Sequence, residues 1–174
     1  MINLCIITAN RAEYGILKEL IKKIYKDVNF KLELVDTGAH IDKKFGLTKN
    51  EILKDKIKII KIFKSYPKKD TTFEILKSIS KSTIDYSGLF SKKKFDLLIL
   101  LGDRYELISP SICAFFNNIP IAHINGGDIT EGSLDDKIRN LITNISNLHF
   151  VTNKYSFKRV KEITGKKNNI YNVG

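Results

Sequence analysis

Several short polar clusters interrupt the apolar segments of this sequence and carry the side chains able to do chemistry. Asn10-Arg11 follows the first apolar run, and Thr37-Gly38-Ala39-His40 follows the second. Gly102-Asp103-Arg104 follows a nearly continuous one. His123 opens the string HINGGD, which ends in Gly126, Gly127 and Asp128; Asp135, Asp136 and Arg139 come shortly after. A carboxylate whose neighbours tune its proton affinity can take and return a proton, so Asp103, Asp128 and Asp136 are acid-base candidates, together with the His123 imidazole. Arg11, Arg104 and Arg139 suit an anionic ligand, because a guanidinium offers a planar fork of donors. A cation at a helix start gains nothing from the helix dipole, so a bound anion would give Arg11 its reason to be there. Gly126 and Gly127 allow the backbone to come close to a ligand.

Each residue also has a plainer reading. Asp103 could cap the next helix, and His123 could be a buried strand residue with its ring satisfied. Arg11 could be a surface side chain. Asp135 and Asp136 precede Arg139 by four and three positions, so they could pair with it along a helix or simply favour the helix dipole. His40, His123 and His149 lack a close ligand spacing, so no metal is expected. The first strand is followed by TANRAEYG in place of GxGxxG, and a dinucleotide cofactor loses its usual support.

The elements that must position these residues are legible from periodicity. Asn3–Thr8 reads as a strand, and Glu13–Tyr25 as a helix with Ile16, Leu17, Leu20, Ile21 and Ile24 on one face. Phe30–Asp36 is a second strand, and this opening favours a right-handed parallel unit. A short helix after Gly46 is ambiguous. Strands follow at Ile57–Phe63, Phe95–Leu101, Ile119–Ile124, Leu148–Thr152 and Asn169–Val173, with helices at Phe73–Leu89, Glu106–Phe116, Asp135–Ile145 and Tyr155–Ile163. The apolar run FDLLILL suits a central parallel strand covered on both faces. The whole predicts a doubly wound parallel sheet. In such sheets ligands gather beyond the C-terminal strand ends, where the polar clusters fall.

With 174 residues, 43% hydrophobic and 28% charged, the chain has the bulk properties of one soluble globular domain. No segment approaches the roughly 20 apolar residues that cross a membrane, and the N-terminus lacks a signal-peptide layout. Cys5 and Cys113 sit among apolar neighbours and read as buried thiols of a reducing, cytoplasmic setting. The formal charge of +11 is mostly scattered lysine. Without a basic-aromatic motif, it reads as a solvated surface and not a nucleic-acid interface.

TANRAEYG, LVDTGAHI, LGDRYE, HINGGD and DDKIRNLIT together resemble, in order and over nearly the whole chain, the UDP-N-acetylglucosamine 2-epimerases. The resemblance is to their hydrolysing branch, which makes N-acetylmannosamine for sialic-acid-type pathways; a related branch uses a diacetylated bacillosamine. It implies a Rossmann-like N-terminal half of a GT-B-type fold, facing a second, nucleotide-binding domain beyond residues 1–174, and a homodimer. It also implies elimination of the nucleoside diphosphate followed by hydration, with no cofactor. Asp103, Asp128, Asp136 and His123 then fall at catalytic positions, and Arg11, His40, Arg104, Gly126, Gly127 and Arg139 at substrate-binding ones. Three positions depart from the pattern: Asn125 replaces a Glu or His, Asn140 a His and Asn144 a Lys. A noncatalytic interaction domain and a glycosyltransferase of similar architecture are the competing readings.

Overall fold

The computed structural model describes residues 1–37, 52, 54–55, 57, 59–64, 66–130, 133–165 and 168–174. Seven parallel strands form one sheet in the order β3-β2-β1-β4-β5-β6-β7. They are β1 (Ile2–Thr8), β2 (Phe30–Thr37), β3 (Ile59–Phe63), β4 (Leu97–Leu101), β5 (Ile121–Ile124), β6 (Leu148–Val151) and β7 (Ile170–Asn172). Among the helices that accompany them are α1 (Arg11–Lys26), α2 (Thr72–Lys92), α3 (Ile108–Phe116), α4 (Leu134–Ile145) and α5 (Lys154–Thr164). The strand order grows one way from β1 to β3 and the other way from β4 to β7. The β1/β4 boundary is therefore the switch point beside which such sheets open a crevice.

Alternation along β1 divides the core. Leu4 and Ile6 join Tyr14, Leu17, Ile21 and Ile24 of α1 on one face of the sheet. Cys5 and Ile7 join Tyr86 and Phe90 of α2, Cys113 and Ala114 of α3, and Ile138 and Ile142 of α4 on the other. Both cysteines are free and buried. The expected apolar face of α1 needs correcting. Ile16 is 65% exposed and Leu20 is also exposed, because the buried stripe runs through Glu13, Tyr14, Leu17, Ile21 and Ile24. An aromatic ring and a buried carboxylate occupy the places that periodicity assigned to the two aliphatic residues.

Helix starts are set by side-chain caps. Asn10 accepts the Glu13 N–H, Ser133 accepts the Asp135 N–H, and Asn153 accepts those of Tyr155 and Ser156. Each satisfies an amide that the first helical turn leaves without a partner. The expected helix from Glu106 begins instead as a 3-10 turn, Tyr105–Leu107, before α3. No described helix is long and apolar enough to cross a membrane.

Candidate functional site

Arg139 stands near the middle of α4 with its side chain only 9% exposed. Its Nη2 binds the Asp103 carboxylate after β4. Its Nη1 donates to the Asp128 carbonyl at 2.7 Å, and both terminal nitrogens reach Thr130 Oγ1 at 3.3 Å. Asp136, one helical turn back, lies 3.8 Å from the same guanidinium and accepts from Arg159 of α5 at 2.9 Å. One buried cation therefore joins the turn after β4, the loop after β5 and the start of α4. Asp103 does not cap the next turn, which starts at Arg104 without a side-chain cap. The Asp103 and Asp136 side chains keep 22% and 21% of their surface open to solvent.

Asp128 is held from the far side. Its Oδ1 accepts from Thr152 Oγ1 at 2.9 Å and from Ser156 Oγ, tying the HINGGD loop to α5. Beside it opens a cavity of about 580 Å³ lined by Ile129, Asn153, Tyr155 and Arg159 among others. Gly127 adopts φ +80°, and a Cβ there would lie 2.5 Å from the Ser156 carbonyl. A Cβ on Gly126 would lie 3.0 Å from Thr143 Oγ1 and 3.1 Å from His123 Nδ1. The close approach expected of this glycine pair is thus made to the protein's own α5, Thr143 and His123.

His123 lies fully buried on β5, behind the rim. Its Nε2 is 2.7 Å from the Gly102 carbonyl, which can only accept, so Nε2 carries the proton and Nδ1 accepts from Thr143 Oγ1 at 3.1 Å. Burial pushes its pKa down to about 4, with the Gly102 carbonyl opposing and His149 and Arg139 adding to the depression. An imidazole enclosed in this way positions the Gly102-Asp103 turn. Both ring nitrogens of His123, expected as an acid-base candidate, are engaged by these two partners.

At the switch point a second cluster forms. Arg11 is the first residue of α1 and is exposed. Glu13, two residues on, is buried; its Oε2 accepts the Ala9 N–H at 2.8 Å and its Oε1 accepts from Asn10 Nδ2 at 2.9 Å. Arg104 is bound to its neighbour Glu106 at 2.8 Å. His40 lies outside the described residues.

The sequence model described as UDP-N-acetylglucosamine 2-epimerase matches residues 22–174. The chain belongs to the UDP-N-acetylglucosamine 2-epimerase family. A Campylobacter jejuni relative named GDP/UDP-N,N'-diacetylbacillosamine 2-epimerase (hydrolyzing) is 36% identical over 171 residues, covering 98% of this chain and 44% of that protein. Polysialic acid biosynthesis protein P7 of Escherichia coli is 35% identical, covering 97% of this chain and 43% of its own. The chain thus spans less than half the length of these relatives. In fold it matches the Methanocaldococcus jannaschii UDP-GlcNAc 2-epimerase, solved with UDP-GlcNAc and UDP, with a TM-score of 0.86 at 19% identity over 99% of this chain and 46% of that one. The Rossmann-like parallel sheet is that of the N-terminal half of these epimerases.

Within the family pattern, the three asparagine departures have local partners. Asn125 adopts φ +62°, a left-handed conformation that Asn tolerates better than Glu or His, and its N–H donates to Phe150 O at 2.9 Å. Asn140 reaches Asp136 at 3.4 Å, and Asn144 donates to Ile163 O at 3.1 Å. Sequence reasoning missed Glu13, Thr143, Thr152, Ser156 and Arg159. Only Glu13 carried a signal: Asn10 followed three residues later by Glu is the spacing of a capping box.

Proposed function

We propose that the chain forms the sugar-facing wall of a hydrolysing 2-epimerase acting on a nucleoside-diphosphate-linked 2-acetamido sugar. The observation that supports this reading best is the Asp103–Arg139 pair, with Asp103 still partly open to solvent on the rim where the sheet order reverses. In the first step a carboxylate takes the proton at sugar C2 while the bond from C1 to the diphosphate oxygen breaks. A C1–C2 double bond forms, and the diphosphate leaves with the bonding pair. In the second step a proton returns to C2 on the opposite face, and water adds its oxygen to C1 and gives up a proton. The free sugar leaves with C2 inverted.

Asp103 is the first proton-exchanging group, because its carboxylate is held by one partner and open on its other side. Asp136, between Arg139 and Arg159, is the second carboxylate, and Asp128 shapes the floor beside the sugar. Arg11 and the first amides of α1 face the departing diphosphate. A second lobe holds the nucleotide and excludes water. The reading stays at the class of acetamido sugar, because the relatives' names span UDP- and GDP-linked substrates with one or two acetamido groups.

The test is proton NMR of a two-lobed protein carrying this sequence as its first lobe, incubated with UDP-N-acetylglucosamine or its diacetamido counterpart in deuterated water. Deuterium at C2 of the released sugar is expected, and Asp103→Asn should slow its appearance about 100- to 10,000-fold. Release of the sugar without deuterium at C2, or full activity in Asp103→Asn, would sink the proposal.

A further inference from the structure

Glu13 is a strongly buried carboxylate at the switch point that the proposed chemistry leaves unused. It lies between two turns. From β1 and the start of α1 it receives the Ala9 N–H and the Asn10 side-chain amide, while Asn10 in turn caps the Glu13 N–H. From the turn after β4, the charge of Glu106 raises its proton affinity and that of Arg104 lowers it. Arg104 is already spent on Glu106, bound through both Nε and Nη2. Two carboxylates, each nearly closed to solvent, thus share one cation. Such an imbalance in a buried place favours a proton on the carboxylate that lacks the ion pair.

We propose that Glu13 is a positioning residue for the anion-facing end of the site, setting the Ala9–Arg11 turn through its two acceptor bonds and taking up a proton when an anion docks there. The inference rests on the reading of Arg11 and the α1 N-terminus as that end. A carboxylate that accepts from both Ala9 and Asn10 orients the turn as a unit, whereas a protonated one can accept from both only if its hydroxyl finds a further acceptor. Burial, reinforced by Glu106, raises the Glu13 carboxyl from 4.5 to about 7, against its two N–H donors and Arg104. An arriving dianion adds negative charge and pushes the same way, so proton and anion bind with positive coupling.

The test uses the 174-residue chain and sulfate, whose charge stays constant between pH 5 and 9. In 15N-resolved NMR the Ala9 amide should titrate with a midpoint near neutrality. Glu106→Gln should move that midpoint down, and Glu13→Gln should abolish it. Sulfate affinity should fall roughly three- to tenfold as pH rises through this midpoint, and should lose that dependence in Glu13→Gln. A flat Ala9 amide, or an unchanged sulfate profile in Glu13→Gln, overturns the proposal whatever the enzyme's chemistry. If Glu13→Gln fails to fold, Glu106→Gln decides: the Ala9 midpoint and the pH at which sulfate affinity falls should move down together, and failure of either to move overturns the proposal. Titration of Ala9 with no sulfate binding at any pH removes the anion-facing reading instead, and the coupling with it.

Discussion

His123 is a buried ring whose two nitrogens are engaged by the Gly102 carbonyl and the Thr143 hydroxyl. Replacing it by Phe would keep the ring volume but leave the Gly102 carbonyl and the Thr143 hydroxyl without their partner. Orphaned polar groups of this kind cost about 2–4 kcal/mol together, readable by urea denaturation at pH 7. The pH dependence has a definite sign. The folded pKa of His123 is depressed from 6.5 to about 4, so between those values the unfolded chain binds the proton and the folded one does not. Stability from this residue is full above 6.5 and drains away as pH falls toward 4. The Phe variant should therefore show a shallower acid limb in that window. An unchanged limb would mean that His123 titrates normally. Glu13 contributes with the opposite sign: its raised pKa makes ionisation a cost that grows from about 4.5 to about 7. The two slopes partly cancel in the wild type, so the His123 effect is best read against a Glu13→Gln background.

At the scale of elements, the polar loops are held by glycine geometry and by Arg139. Gly127→Ala places a methyl against the α5 backbone in a positive-φ conformation, and should cost about 2–4 kcal/mol in a thermal melt. Gly102→Ala, at φ +85° with open space around it, pays only the backbone strain of about 1 kcal/mol. A reversal of that order would mean that the HINGGD loop can move away from α5. Arg139→Gln and Asp103→Asn should each destabilise, but together by less than their sum, with a coupling of about 1 kcal/mol or more in a double-mutant cycle. The strands themselves were readable beforehand, because a parallel sheet covered on both faces writes itself as apolar runs such as LLILL of β4. So was the gathering of Asp103, Asp128 and Asp136 on one edge, since the first two follow strands and the third opens the next helix. What stayed hidden was the partner of each group. Arg139 is 36 residues from the Asp103 that it binds, and Ser156 is 28 from Asp128. Local spacing carries no trace of contacts between loops of different strands. The exposed Ile16 escaped for a related reason: the period of α1 is satisfied equally by Tyr14 and Glu13, whose burial depends on what the sheet presents to them.

Taken as a whole molecule, the sheet has a closed core and an open working edge. Apolar clusters fill both faces, while Asp103, Asp136, Arg139 and Arg159 meet at the C-terminal strand ends with the two carboxylates partly exposed among the described residues. In the proposed reading this edge orients the sugar, while a second lobe strips water from it and fixes the leaving nucleotide. Positioning is worth about 7–11 kcal/mol where it is complete, so a one-walled site forfeits a large share of the rate. The 174-residue chain assayed by itself is therefore expected to release free sugar from UDP-N-acetylglucosamine at least about 1,000-fold more slowly than a relative with both lobes. Its residual rate should also be insensitive to Asp103→Asn, because an unpositioned carboxylate adds little to what water already does. Both rates can be followed by the appearance of UDP. If the chain alone came within tenfold of a two-lobed relative, all the groups needed for chemistry and water exclusion would have to lie on this one edge. The second lobe would then serve only nucleotide affinity, and adding saturating substrate would erase the remaining difference.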